Sequence, residues 1–153
     1  MERIEFISRR ASDTVGIGES IGSCSMAGDI FLLYGELGAG KTQFVKGLAK
    51  GLDVPDWEHV TSPSFTLLNT YTGRYGFCHV DLYRLENVDV TELGIEEYLD
   101  SSVVAVEWAE KSSWWDNIIH VRIAVTGEEE RRIVLEVADA GRAKVWRDIR
   151  RKS

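Results

Sequence analysis

Gly35-Glu36-Leu37-Gly38-Ala39-Gly40-Lys41-Thr42 follows the pattern G-x-x-x-x-G-K-[ST]. A triphosphate presents many acceptor oxygens on one convex surface, and only backbone amides supply short donors at a matching density. Glycines let that backbone come close. The predicted cradle comprises the backbone of Glu36, Leu37, Gly38, Ala39 and Gly40, with Lys41 reaching the β- and γ-phosphates and the Thr42 hydroxyl offered to Mg²⁺. The cofactors expected are therefore ATP or ADP with Mg²⁺. A ligand-free glycine-rich turn is the bland alternative, and a strand before the loop with a helix after it argues against that reading.

A phosphate-bound Mg²⁺ also needs a carboxylate at the end of a neighbouring strand. Two residues compete for that duty: Asp81, after Phe77-Cys78-His79-Val80, and Glu107, after Val103-Val104-Ala105-Val106. The working assignment gives Asp81 to the metal, directly or through water, and Glu107 to the metal or to orienting the attacking water. Thr61, in Val60-Thr61-Ser62-Pro63-Ser64-Phe65, is the candidate hydroxyl of a segment that closes on the γ-phosphate, against the alternative of a proline-initiated turn. His79, next to Cys78 on a predicted strand, reads first as a packed core histidine. Trp108, Trp114 and Trp115 cluster beyond Glu107, and packing is the plainer reading for most of the five tryptophans.

Positioning these residues requires an alternation of strands and helices. Residues 12 to 26 place Val15, Ile17 and Ile21 among small residues and read as a helix with Ser12 or Asp13 as its cap, although Gly16, Gly18 and Gly22 make it a poor one by propensity. Asp29 to Tyr34 runs apolar up to Gly35, as a strand buried on both faces does. Lys41 to Lys50 predicts a helix, with Gly51 as a left-handed cap. Phe65 to Tyr71 and Arg74 to Val80 flank Thr72-Gly73 as a hairpin, so the sheet mixes parallel and antiparallel pairs. Asp89 with Glu92 has capping-box spacing ahead of a helix that reaches Leu99. Val103 to Val106 reads as a buried parallel strand delivering Glu107. Ile118 to Thr126 and Arg131 to Val137 form a second hairpin around Gly127 to Glu130, and Arg142 to Ile149 a short terminal helix. The predicted fold is α/β, one P-loop domain over residues 1–153 with a mixed sheet flanked by helices and a basic tail over about 141–153.

Length and composition agree with that outline. The chain has 153 residues, 44% of them apolar, enough for one core without disulfides or metal staples. Its net charge of −7 disfavours a surface that grips nucleic acid or anionic lipid as a whole. Cys24 and Cys78 form no framework or zinc pattern, which fits a reducing compartment. The first ten residues mix charge with apolar side chains and resemble no export signal, and no apolar run approaches the ~20 residues a membrane span needs. A cytoplasmic protein without membrane contact is expected.

Taken together, Gly-Glu-Leu-Gly-Ala-Gly-Lys-Thr, Thr-Ser-Pro-Ser-Phe-Thr-Leu, His-Val-Asp-Leu-Tyr-Arg-Leu and Val-Glu-Trp-Ala-Glu, in that order from Gly35 to Glu110, resemble the bacterial TsaE family, also called YjeE. The resemblance implies a small P-loop ATPase, slow without partners, that acts with TsaD and TsaB after TsaC makes threonylcarbamoyl-adenylate. The product is threonylcarbamoyladenosine in tRNA, which such a protein meets indirectly through the complex. The resemblance also implies phosphate contacts from Gly38, Gly40, Lys41 and Thr42, a metal ringed by Thr42, Asp81 and Glu107, and Thr61 in the closing loop. It places Thr14 near the nucleotide base and brings Arg132 toward it from the hairpin. Ser64 stands where the family more usually has threonine, and Ala109 where proline often follows Glu-Trp.

Two other classes remain. A small-molecule kinase would share the loop but needs lid arginines, and only Arg74 and Arg84 lie between Lys41 and Arg122. A nucleotide-gated binding module would bind without useful hydrolysis. The six Lys and Arg residues between Arg142 and Lys152 form either a solvated helix face or a local anion-docking patch.

Overall fold

The computed structural model describes residues 1–36, 38–63, 68–82, 94–108 and 118–152, except for the side chains of 150–152. Among the described residues, seven strands and four α-helices follow in the order β1 (Glu2–Ser8), α1 (Ala11–Ser23), β2 (Ile30–Tyr34), α2 (Lys41–Gly51), β3 (Leu68–Thr72), β4 (Gly76–Asp81), α3 (Glu96–Leu99), β5 (Ser102–Glu107), β6 (Ile119–Val125), β7 (Arg131–Val137) and α4 (Ala140–Lys152). One 3-10 turn, Trp57–His59, follows α2. The strands form a single sheet in the order β1-β7-β6-β2-β5-β4-β3. Its centre, β6-β2-β5-β4, is parallel, while β7, β1 and β3 add antiparallel pairs. This is the mixed α/β sheet expected.

Each central strand is apolar on both faces because helices cover both faces. On one side, Phe31 and Leu33 of β2 pack with Phe44 and Leu48 of α2, Ile21 of α1 and Trp146 of α4. On the other, Ile30, Leu32, Val104 and Val106 meet Ile95, Tyr98 and Leu99 around α3. No described helix is long and apolar enough to cross a membrane.

The glycines that make α1 a poor helix by propensity have a tertiary use. A Cβ on Gly18 would lie 2.5 Å from the Phe44 carbonyl oxygen, on Gly22 2.5 Å from that of Leu48, and on Gly47 2.2 Å from that of Val15. The two helices therefore touch backbone to backbone, which only glycine permits. Gly51 belongs to the same contact, since its Cβ would meet the Glu19 oxygen at 2.2 Å, and α2 runs through it. The left-handed residue that ends this segment is Asp53 (φ 64°), two positions beyond the predicted cap. Arg74 closes the far end of the helix pair, its guanidinium donating to the carbonyls of Gly51 (3.1 Å) and Gly22 (3.2 Å).

Three other segments are placed that the sequence outline left open or drew longer. The N-terminal segment is a strand: Ile4, Phe6 and Ser8 are buried in alternation, and β1 pairs along β7 from Glu2↔Val137 to Ser8↔Arg131. The helix predicted to reach Leu99 is described only over Glu96–Leu99, because Gly94 at φ 69° breaks any helix through it, and its proposed Asp89/Glu92 cap lies outside the described residues. The basic tail is a docked helix, with Ala143 and Trp146 buried, Arg142 forked onto Asp29 (2.7 and 2.9 Å), and Arg147 against Glu2 (3.2 Å). Two of its cations are thus paired within the chain.

Candidate functional site

The loop between β2 and α2 turns through two left-handed glycines, Gly38 (φ 82°) and Gly40 (φ 106°). Among the described residues, nothing beyond their chain neighbours lies within 4 Å of where their Cβ atoms would stand. The Ala39 amide donates to the Glu36 carbonyl (3.0 Å), and α2 begins at Lys41 with its positive dipole end directed at the same space. Leu37 lies outside the described residues.

Lys41 is only 5% exposed. Its Nζ donates to the Gly35 carbonyl (2.5 Å) and sits 3.6 Å from the centroid of the Trp108 ring. Trp108 holds that position at φ 61°, a left-handed conformation that costs a non-glycine residue about 1–2 kcal/mol. The Lys41 ammonium is thereby held under the loop, at the start of α2.

Period-two alternation puts Phe77, His79 and Asp81 of β4 and Val103, Ala105 and Glu107 of β5 on the face that α2 covers. Parallel pairing then sets Asp81 directly beside Glu107, and Glu107 beside Leu33 at the end of β2. Both competing carboxylates are therefore brought to one place. Glu107 is 3% exposed, and its Oε2 accepts from Ser62 Oγ (3.0 Å) and from His79 Nε2 (2.5 Å). Since Ser62 gives its one proton to Glu107, it accepts from Thr42 Oγ1 across 3.3 Å. Thr42, Ser62, Glu107 and His79 thus form one chain of side chains from the loop to β4. Burial pushes the Glu107 carboxyl upward, but His79's hydrogen bond and charge, the Ser62 hydrogen bond and Lys41's charge outweigh it and hold the group below its ordinary 4.5.

Beside the loop lies a cavity of about 240 Å³ lined in part by Thr14, Gly38, Gly40, Gln43, Glu128 and Arg131. Thr14 is thereby brought next to the loop, its hydroxyl paired with Ser8 Oγ at 2.7 Å. Arg132 is not. Its Nε and Nη2 fork onto the Glu5 carboxylate (2.9 and 3.0 Å), and the guanidinium that reaches the loop belongs to Arg131, whose Nε donates to the Ala39 carbonyl at 3.0 Å. Thr61 is exposed, and the hydroxyl of its segment that enters the site is that of Ser62.

Sequence reasoning therefore missed Ser62, His79 and Arg131 as members of the site. Thr-Ser-Pro and His-x-Asp carried the first two in plain view, but nothing local says which hydroxyl turns inward. Among the described residues no group of three or more His, Cys, Asp or Glu is arranged to hold a metal alone. Thr42, Asp81 and Glu107 supply one hydroxyl and two carboxylates, a donor set that fits Mg²⁺ when phosphate oxygens and water fill the rest of its shell.

A family model described as "Threonylcarbamoyl adenosine biosynthesis protein TsaE" matches residues 8–134. Three relatives bear the name tRNA threonylcarbamoyladenosine biosynthesis protein TsaE. That of Nostoc sp. is 45% identical over 104 residues, 64% of this chain and 63% of the relative, so the alignment spans just under two thirds of that protein. That of Treponema pallidum is 38% identical over 133 residues, 84% of this chain and 97% of the relative. That of Aquifex aeolicus is 37% identical over 130 residues, 84% and 94%. Among solved structures the fold is similar to Bacillus subtilis YdiB, with a TM-score of 0.75 and 27% identity over 99% of this chain and 96% of that one.

Proposed function

The chain belongs to the TsaE family of threonylcarbamoyladenosine biosynthesis proteins, and from that premise we propose that it is a Mg²⁺-dependent P-loop ATPase acting with TsaB and TsaD in forming threonylcarbamoyladenosine in tRNA. The observation that carries this reading is the chain Thr42–Ser62–Glu107–His79 beside Lys41, which joins a phosphate cradle to a buried, ionised carboxylate.

Each part has a task in phosphoryl transfer. The amides of residues 38 to 42 and the Lys41 ammonium hold the phosphates, with Lys41 leaving the Gly35 carbonyl to do so. Thr42 and Asp81, with Glu107, would hold Mg²⁺, which when bound neutralises phosphate charge. Glu107 has one oxygen fixed by Ser62 and His79 and orients the attacking water with the other. Thr14 and the cavity beside the loop accept the nucleoside end. A kinase lid finds no support in Arg74, which is committed to the opposite end of α2, and Arg84 lies outside the described residues.

The test is ATP hydrolysis by the purified chain with and without TsaB and TsaD. Slow turnover that rises on adding the partners and disappears in Lys41→Ala is the expected result. Hydrolysis retained by Lys41→Ala removes the P-loop assignment, and turnover that requires a small-molecule acceptor moves the protein to the kinases.

A further inference from the structure

We propose that His79 is a positioning residue that fixes which oxygen of Glu107 faces the reacting phosphate; the proposal rests on the reading of Glu107 as the group that orients water or completes the metal shell. The imidazole is fully buried in a strand whose neighbouring side chains Phe77, Cys78 and Val80 are all apolar. Its Nε2–H donates to Glu107 Oε2 at 2.5 Å, while Nδ1 is buried with no partner. A buried polar atom left unpaired is a cost that an apolar residue would not carry, so the bond to Glu107 is what this ring contributes at this position.

Geometry gives that bond a consequence. Ser62, arriving from the segment after α2, donates to the same Oε2 at 3.0 Å. Two donors from two elements converge on one oxygen and set the plane of the carboxylate, and no described hydrogen bond occupies Oε1. Ser62 lies outside the regular elements and touches Thr42, a residue that would hold Mg²⁺. His79 belongs to the central sheet and pairs in register with Ala105, so its ring is held by the strand itself. It is the fixed half of the clamp.

The experiment compares two amides of different reach in the full-length chain. His79→Gln carries an N–H out to about the place of Nε2, whereas His79→Asn stops near Nδ1 and cannot reach Glu107. ADP affinity is measured by calorimetry and single-turnover ATP hydrolysis with Mg²⁺ present. A misplacement of about 1 Å at a reacting group costs up to about 10²-fold, so His79→Asn is expected to hydrolyse at least ~10-fold more slowly than His79→Gln, with ADP affinities within ~2-fold of each other. Equal rates in the two variants, or a rate loss matched by an equal loss of ADP affinity, would overturn the proposal. Glu107→Gln separates the two levels. If it is inactive while the two His79 variants are equal, only the role of His79 falls; if it hydrolyses normally, the reading of Glu107 falls and the proposal with it.

Discussion

Arg131 Nε donates to the carbonyl oxygen of Ala39 at 3.0 Å, tying the first residue of β7 to the phosphate loop. The same guanidinium gathers the carbonyls of Gly127 (3.1 Å), Glu128 (3.3 Å) and Glu130 (2.9 Å), so loop and hairpin are held as one piece. Charged donors of this kind are worth about 1.5–3 kcal/mol when well aligned. Arg131→Ala is therefore expected to weaken ADP binding by ~10-fold or more, read by calorimetry. Unchanged affinity would mean that the loop keeps its shape without the tether.

The α1–α2 contact predicts opposite effects for two glycines. Gly47→Ala places a methyl group 2.2 Å from the Val15 oxygen and should destabilise the fold by about 1–3 kcal/mol in urea unfolding. Gly16 has nothing within 4 Å of its would-be Cβ, so Gly16→Ala should gain about 0.5–1 kcal/mol from helix propensity alone. The same sign for both would show that the helices do not pack as closely as described.

Asp29 is 9% exposed and accepts both arms of Arg142 as well as the Met26 amide (2.9 Å). Removing one partner of a buried pair leaves the other uncompensated. With Arg142 itself still partly open to solvent, Arg142→Met should cost about 2 kcal/mol in urea unfolding, a loss greater than for Lys144→Met on the exposed side of α4. Equal effects would make the pair a surface interaction.

Cys78 is buried, and desolvation pushes its thiol from 9.0 to about 11. Between those values the unfolded chain has released the proton that the folded chain still binds, so stability falls as pH rises from 9 to about 11, by about 2–3 kcal/mol. Below pH 9 this group contributes no slope. Native protein at pH 8 should accept one equivalent of a thiol reagent, at half-buried Cys24, and a second only in denaturant. Two rapid equivalents in the native state would contradict the burial of Cys78.

Asp81 stands beside Glu107 in the parallel register. Asp81→Asn should leave ADP binding in EDTA within ~2-fold while removing most of the gain expected from Mg²⁺, since its proposed role lies at the metal. Equal losses with and without Mg²⁺ would take Asp81 out of the metal's surroundings.

What the sequence by itself determined is the part of the site that is contiguous. The proposed phosphate loop is legible because the chemistry it is proposed for calls for consecutive backbone amides, and Gly38 and Gly40 announce the left-handed turns such amides require. The strand before it, the helix after it and both hairpins follow from local periodicity, as does Glu107 at the end of an apolar run. Tertiary structure alone decided the rest. Arg131 and Arg132 are adjacent in sequence, yet a strand's period of two sends them to opposite faces, one to the loop and one to Glu5; which goes where is set by the pairing of β7 with β1. His79, Ser62 and Glu107 converge because β4 lies beside β5 and the segment after α2 passes over both, a strand order that no window of sequence contains. The glycines of α1 and α2 read singly as poor helix formers. They become the reason for a close contact only when each helix has the other against it, because excluded volume is a property of the pair.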